Sequence, residues 1–224
     1  MLNGKVRFQK QKDRIRKGLL KYTRKAFRML PKLDRPCILD IGCGSGVPTM
    51  ELARLSNGEI TGLDVNQEFL DALARKIEKA GIQDRVKAMK CSIYDMKFPD
   101  ESFDIIWAEG SMHIIGFERG LKEWKRFIKT NGFLVVHDEK SNIEEKLKQI
   151  SICGYELLDY FVLDKDRWWV EYFSPLKKLV FETRTKYADD VKAIEEVYYA
   201  EQEIDMFKEN PELNSSAFFA MKKK

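Results

Sequence analysis

The sequence predicts an α/β protein built on one parallel β-sheet with covering helices. From Pro36 onward, short apolar runs alternate with helix-like stretches, which is typical of parallel strands joined by helical crossovers. The chain of 224 residues is long enough to bury one good core and too short for two full-sized enzyme domains. We therefore expect a single α/β domain with additions.

The individual elements follow from the spacing of the apolar residues. Five strands are predicted at 37–41, 59–64, 86–90, 103–108 and 133–137, with helices between them at 48–55, 67–79 and 117–129. Beyond His137 the pattern predicts a helix at 142–152 and a strand at 155–163. Two further helices follow, the second an acidic one at 189–209 that Pro211 ends, and then a last strand at 217–221.

The most informative stretch lies where the first predicted strand ends. It carries Gly42, Gly44 and Gly46 just before a predicted helix. Glycine is needed where the backbone turns sharply and approaches a ligand without a Cβ in the way. Asp64 ends the next strand 18 residues after Gly46, where a ribose-binding carboxylate belongs. This combination favours an adenine-nucleoside cofactor over a purely structural turn.

Two cofactor classes use such a turn, nicotinamide dinucleotides and S-adenosylmethionine. A dinucleotide places its pyrophosphate at the helix N-terminus, and its fingerprint is G-x-G-x-x-G. Here the third glycine comes one place early, and Asp40 leads the turn. A carboxylate is poorly placed beside a pyrophosphate, but it helps beside the ammonium and sulfonium groups of S-adenosylmethionine. We therefore favour S-adenosylmethionine, and an NAD(P)-dependent oxidoreductase is the alternative.

With these motifs the sequence resembles the class I S-adenosylmethionine-dependent methyltransferases, of a small-molecule type similar to the quinone-biosynthesis C-methyltransferases. The resemblance is strong over residues 36–139, through the turn at 39–46 and the segments 62–64, 98–104 and 131–134. It implies a Rossmann-like, seven-stranded, mostly parallel sheet with an antiparallel last strand. It also implies that a methyl group is transferred in line from S-adenosylmethionine to a small-molecule acceptor.

The resemblance further implies which residues bind the cofactor. The methionine part is expected at the glycine turn, the ribose hydroxyls on Asp64, and the adenine beside Ser92 and Ile93. The family often has an acid where Cys91 and Ser92 stand, so the adenine contact is expected through backbone or hydroxyl groups. The full set of expected cofactor contacts is Asp40, Gly42, Cys43, Gly44, Gly46, Asp64, Val65, Ser92, Ile93 and Glu109.

A general base is needed only if the acceptor has a proton to lose. The candidates Glu109, His113 and His137 all fall at the carboxyl edge of the predicted sheet, where open α/β sheets bind ligands. Each has a plainer alternative: Glu109 as a cap of the following loop, and either histidine as a hydrogen-bonded structural group. No metal is expected, because the four cysteines have no CxxC or Cys/His ligand spacing.

Residues 1–35 form a strongly basic segment, with thirteen Lys or Arg and two Asp, although the whole chain carries only +4. Apolar residues at helical spacing from Ile15 to Met29 predict an amphipathic helix over about 12–30, which Pro31 stops. We expect this helix to form a lid over the cofactor, and we expect the acidic helix at 189–209 to neutralise part of its positive charge. Peripheral membrane contact is the second interpretation, and a solvated surface is the third.

The methyltransferase domain is expected over 36–224, with a cap segment at about 164–188. Residues 164–167 are predicted as loop, and the aromatic run 168–173 either walls the acceptor site or forms a small separate core. Trp107 and Trp124 are expected in the main core.

Nucleic acid is disfavoured as the acceptor, although a nucleic-acid-associated protein that binds S-adenosylmethionine stays an alternative. The longest apolar run has five residues, against about 20 for a bilayer-spanning helix, so a cytoplasmic protein is expected. The sequence leaves the oligomeric state open.

Overall fold

The computed structural model describes residues 4–210 and 215–224. Its strands are β1 Cys37–Ile41, β2 Glu59–Asp64, β3 Val86–Lys90, β4 Phe103–Glu109, β5 Ile128–Glu139, β6 Tyr155–Leu163 and β7 Ser216–Lys223. They form one seven-stranded sheet in the order β3-β2-β1-β4-β5-β7-β6. Neighbouring strands among β1 to β5 pair in parallel, and the final strands are antiparallel. The predicted fold class is therefore confirmed.

The helices are α1 Gly4–Phe27, α2 Val47–Ser56, α3 Gln67–Ala80, α4 Met112–Ile115, α5 Phe117–Trp124, α6 Ile143–Ile152, α7 Lys165–Trp168, α8 Ser174–Lys186 and α9 Val191–Glu209. A 3-10 turn follows α5 at Lys125–Phe127, and a π-helical turn links α7 to α8 at Trp169–Phe173. The predicted stop at Pro211 lies outside the described residues.

Three predicted elements differ from the structure. The N-terminal helix, expected over about 12–30, begins at Gly4 and ends at Phe27. The helix expected at 117–129 ends at Trp124, because Ile128 already pairs with Phe103 in the sheet and the strand continues to Glu139. The loop expected at 164–167 is wrong, since Asp164 caps α7 and its side chain accepts a hydrogen bond from the Arg167 amide at 2.9 Å. A helix cap of this kind satisfies an amide that would otherwise lack a partner.

The described residues fall into two compact units, one in the described parts of Met1–Lys21 and Leu163–Ser216, the other in Tyr22–Val162 with Ala217–Lys224. The second unit has a hydrophobic core in which Trp107 and Trp124 are at most 1% exposed, as expected for both. This grouping does not test the predicted lid and cap roles of 1–35 and 164–188, which stay predictions.

The first unit has a small core of its own, to which the aromatic run contributes Tyr172 and Phe173 beside Phe8 of α1. These contacts favour the separate-core interpretation of that run. The basic helix also contacts the acidic one, because Lys12 pairs with Glu203 at 2.8 Å. The expected partial neutralisation of α1 by the acidic helix is therefore present in the structure.

Candidate active site

The glycine turn joins β1 to α2 in a conformation that requires glycine. Gly42, Gly44 and Gly46 have φ angles of +71°, +53° and +81°, in the left-handed region that side chains disfavour. A Cβ on Gly42 would lie 2.6 Å from the Cβ of Ser111. The amides of Gly42 and Cys43 both donate to the Leu63 carbonyl at 2.9 Å. These bonds hold the turn against the end of β2.

Asp64, at the end of β2, is held directly beside this turn. Its Oδ2 accepts a hydrogen bond from the Gly44 amide at 2.9 Å, and its Oδ1 accepts one from the Asn66 amide at 2.8 Å. A carboxylate oxygen has two lone pairs, so each oxygen keeps one for a further donor. The half-buried side chain is therefore oriented and can still receive the two hydroxyls of a ribose.

Asp40 lies beneath the turn and is only 1% exposed. Its Oδ2 accepts a hydrogen bond of 2.6 Å from the Thr49 hydroxyl of α2. Burial raises the pKa of Asp40 to about 7, the Thr49 hydrogen bond opposes this, and the negative charges of Glu109 and Asp64 add to it. Asp40 is thus a buried acid whose charge a nearby cation would stabilise.

The loops after β2 and β3 carry the residues expected at the adenine. Val65 is 61% exposed at the end of β2, so an apolar side chain stands open at the ligand edge of the sheet. The β3 loop is tied to β2, since the Cys91 amide donates to the Asp64 carbonyl at 3.1 Å. Ser92 and Ile93 are half-buried there, and the Ser92 hydroxyl accepts from the Tyr94 amide at 3.3 Å.

Glu109 ends β4, in the strand next to β1. Its Oε2 accepts a hydrogen bond from the Trp107 indole at 3.1 Å. The Thr23 hydroxyl of α1 lies 3.1 Å from both of its carboxylate oxygens. Thr23 is not among the site residues predicted from the sequence. The feature that could have indicated it is a polar side chain on the apolar stripe of α1, next to Tyr22.

The two histidines lie in different surroundings. His113 is exposed in α4. His137 is half-buried on β5 and stacks on Phe218 with ring centroids 4.4 Å apart. Burial lowers the pKa of His137 to about 4, so its imidazole is neutral at pH 7 and a weak base.

Cys43 lies in the glycine turn. Burial raises the pKa of its thiol, which makes that thiol unreactive.

The residues at this edge fit S-adenosylmethionine. The turn has no space for a Cβ at Gly42, so its backbone stays uncovered, and an oriented carboxylate with spare lone pairs stands next to it. Asp40, Asp64 and Glu109 together favour a positively charged ligand over a pyrophosphate. Among the described residues, no group of three His, Cys, Asp or Glu side chains is placed to hold a metal ion.

Comparison with known proteins supports this assignment. Residues 38–132 match the family described as "Methyltransferase domain". A sterol 24-C-methyltransferase of Gibberella zeae is 32% identical over 102 residues, which are 45% of this chain and 27% of that protein. The chain therefore matches about a quarter of the length of this relative.

Two solved structures show the same fold. A methyltransferase of Geobacter sulfurreducens, in complex with S-adenosylhomocysteine, has a TM-score of 0.72 at 18% identity, covering 92% of this chain and 90% of its own. The [4+2]-cyclase SpnF also has a TM-score of 0.72, at 20% identity, covering 91% and 80%. Because one of these proteins is named as a cyclase, the fold alone does not decide the reaction.

The glycine turn, the acid at the end of β2 and the family match all fall within the same segment. Residues 38–132 therefore match a methyltransferase domain, within a sheet and with a glycine turn typical of the class I, S-adenosylmethionine-dependent type.

Proposed function

We propose that the protein transfers a methyl group from S-adenosylmethionine to a small-molecule acceptor by in-line displacement. The observation that carries this proposal is the Asp64 carboxylate, held at 2.9 Å by the amide of Gly44 inside the glycine turn. The family match over 38–132 supports it, and the relative named as a sterol methyltransferase favours a small-molecule acceptor. The NAD(P)-dependent alternative is not favoured.

The chain's own residues bind and orient the donor. Gly42, Cys43, Gly44 and Gly46 would hold the methionine part, with Asp40 nearby, and Asp64 would accept hydrogen bonds from the ribose hydroxyls. Val65, Ser92 and Ile93 would hold the adenine. When bound, the cofactor supplies an electrophilic methyl group on a positively charged sulfur, so most of the reactivity is its own.

The protein's part in the reaction is alignment and the exclusion of water, which together can contribute about 7 to 11 kcal/mol. If the acceptor loses a proton, the candidate bases are Glu109, His113 and His137. The low pKa of His137 makes its imidazole a weak base. Glu109 is the candidate whose carboxylate is fixed by two side-chain donors.

The experiment is calorimetry of the purified protein with S-adenosylhomocysteine and, separately, with NADH. We expect S-adenosylhomocysteine to bind and NADH not to bind. Binding of NADH alone would overturn the proposal. Incubation with S-adenosylmethionine and a panel of sterols and quinones, read by the mass gain of one methyl group, then searches for the acceptor.

A second proposal concerns the outward face of α1. Arg7, Lys10, Arg14 and Lys17 are exposed at steps of three and four residues, so they share one helix face. We propose that this face contacts anionic membrane lipids at the periphery. Among the described residues, no helix is long and apolar enough to cross a membrane. A cytoplasmic location is proposed with it, supported by the free state of all four cysteines.

Vesicle sedimentation tests the lipid contact. We expect binding to anionic vesicles that falls with salt, and little binding to zwitterionic ones. If the protein binds neither type of vesicle, the basic face of α1 is a solvated surface and the lipid proposal fails. A steep salt-dependent affinity for DNA or RNA in place of lipid would instead support the nucleic-acid alternative.

A further inference from the structure

Thr23 of α1 lies outside the matched methyltransferase segment and contacts Glu109 inside it. Its side chain is fully buried, and its hydroxyl lies 3.1 Å from both carboxylate oxygens of Glu109. A threonine hydroxyl has one proton to donate, so the two oxygens share it. Because no water reaches the hydroxyl, a rotation of Glu109 away from Thr23 would leave a buried donor without its acceptor.

The end of α1 that carries Thr23 is itself anchored. Arg24 donates a hydrogen bond to Glu51 of α2 at 2.6 Å. Hydrogen bonds from Arg54 and, to a lesser degree, from Arg24 lower the pKa of Glu51. On the next helical turn, the ring of Phe27 lies 6.3 Å from that of Trp107. Thr23 therefore holds a fixed place against the strand that carries Glu109.

Trp107 supplies the second donor to Glu109, at 3.1 Å from its indole nitrogen. One donor lies on the same strand and the other comes from α1. Two donors from different elements restrict the carboxylate to one orientation, as a single bond would not.

Three carboxylates converge at this edge of the sheet. Asp40 receives a hydrogen bond from Thr49, and Asp64 receives two from backbone amides. The charges of Glu109 and Asp64 both act on Asp40. Like charges in a partly buried site repel each other, and a bound cation relieves that repulsion.

We propose that Thr23 is a positioning residue that holds the Glu109 carboxylate towards the positively charged sulfur of the methyl donor. The inference rests on the proposed function. A carboxylate in this place attracts S-adenosylmethionine, whose sulfur is cationic, more than S-adenosylhomocysteine, whose sulfur is neutral. The N-terminal helix thereby contributes to the preference for the charged donor over the spent product.

The first test compares the two ligands by calorimetry on the full chain. In Thr23→Val, which keeps the shape and removes the donor, we expect affinity for S-adenosylmethionine to fall about three- to tenfold and affinity for S-adenosylhomocysteine to stay unchanged. Thr23→Ser restores the donor and should restore the affinity ratio. Thr183→Val is the matched control, because Thr183 is also a buried helical threonine, at 4% exposure.

The second readout needs no ligand. The indole N–H of Trp107 reports on Glu109 directly, and Trp107→Phe assigns its resonance in a ¹H–¹⁵N spectrum. Thr23→Val should displace this resonance, whereas Thr183→Val should not. If Thr23→Val does not fold, Glu109→Gln removes the charge but keeps an acceptor, and it should lower the affinity ratio at least as much as the loss expected for Thr23→Val.

The outcomes separate the two proposals. If neither ligand binds the wild-type protein, the proposed function fails. If both bind, and Thr23→Val or Glu109→Gln leaves their affinity ratio at the wild-type value, the function stands and the role of Thr23 is refuted.

Discussion

The buried carboxyl of Asp40 makes the stability of this protein depend on pH in a predictable direction. Burial raises its folded pKa from 3.8 to about 7. The folded protein thus holds the Asp40 proton more tightly than the unfolded chain does. The stabilising contribution is fully present below about pH 4 and is lost as the pH rises towards 7.

Asp40→Asn removes this dependence, because asparagine stays neutral and its carbonyl can still accept from Thr49. A change of one pKa unit corresponds to about 1.4 kcal/mol, so the raised pKa corresponds to an upper bound of about 4 kcal/mol. We expect the free energy of unfolding of Asp40→Asn, relative to that of the wild type, to increase by up to this amount as the pH rises from 4 to 8.

Urea denaturation at several pH values, followed by tryptophan fluorescence, measures this difference. Asp205→Asn is the control. Asp205 is an exposed residue of α9, so its substitution should not change how the free energy of unfolding depends on pH. Parallel curves for Asp40→Asn and the wild type would refute the reasoning. Binding of S-adenosylmethionine supplies a second check. A cation beside Asp40 favours the ionised carboxylate, so binding should release a proton near neutral pH in the wild type and not in Asp40→Asn.

Three further changes have expected outcomes. Asp64→Ala should weaken binding of S-adenosylhomocysteine in calorimetry by about 1.5 to 3 kcal/mol, since it removes charged hydrogen-bond acceptors; unchanged affinity would remove Asp64 from the ribose site. Gly42→Ala should lower the urea midpoint, because its φ of +71° is strained for alanine, whereas Gly18→Ala, with no heavy atom within 4 Å of its added Cβ, should raise it slightly. Lys146→Met should lower the free energy of unfolding by about 3 to 5 kcal/mol, because it breaks the buried 2.7 Å ion pair with Asp138. The double variant Lys146→Met with Asp138→Leu should recover much of this loss. If the losses of the two single variants simply add in the double variant, the reasoning is wrong.

The strands that line the cofactor edge were predictable because their patterns are local. The structure places β1 to β3 and β6 within the same residues that apolar spacing predicts. The first five residues of β5 were not predicted as strand, since 128–132 contain the charged Lys129, two polar residues and a glycine. They join the sheet only because Phe103 pairs with Ile128. That pairing is tertiary, and helix-like spacing cannot reveal it.

The amino-acid sequence by itself determined the α/β class, the glycine turn and the acid at the end of β2, because these depend on backbone conformation and on the carboxyl edge that parallel strands share. It did not show that Thr23 meets Glu109, 86 residues later in the chain. Nor did it show that burial weakens His137 as a base. Both depend on which side chains surround a group after packing, since hydrogen-bond partners and desolvation arise only when distant segments come together.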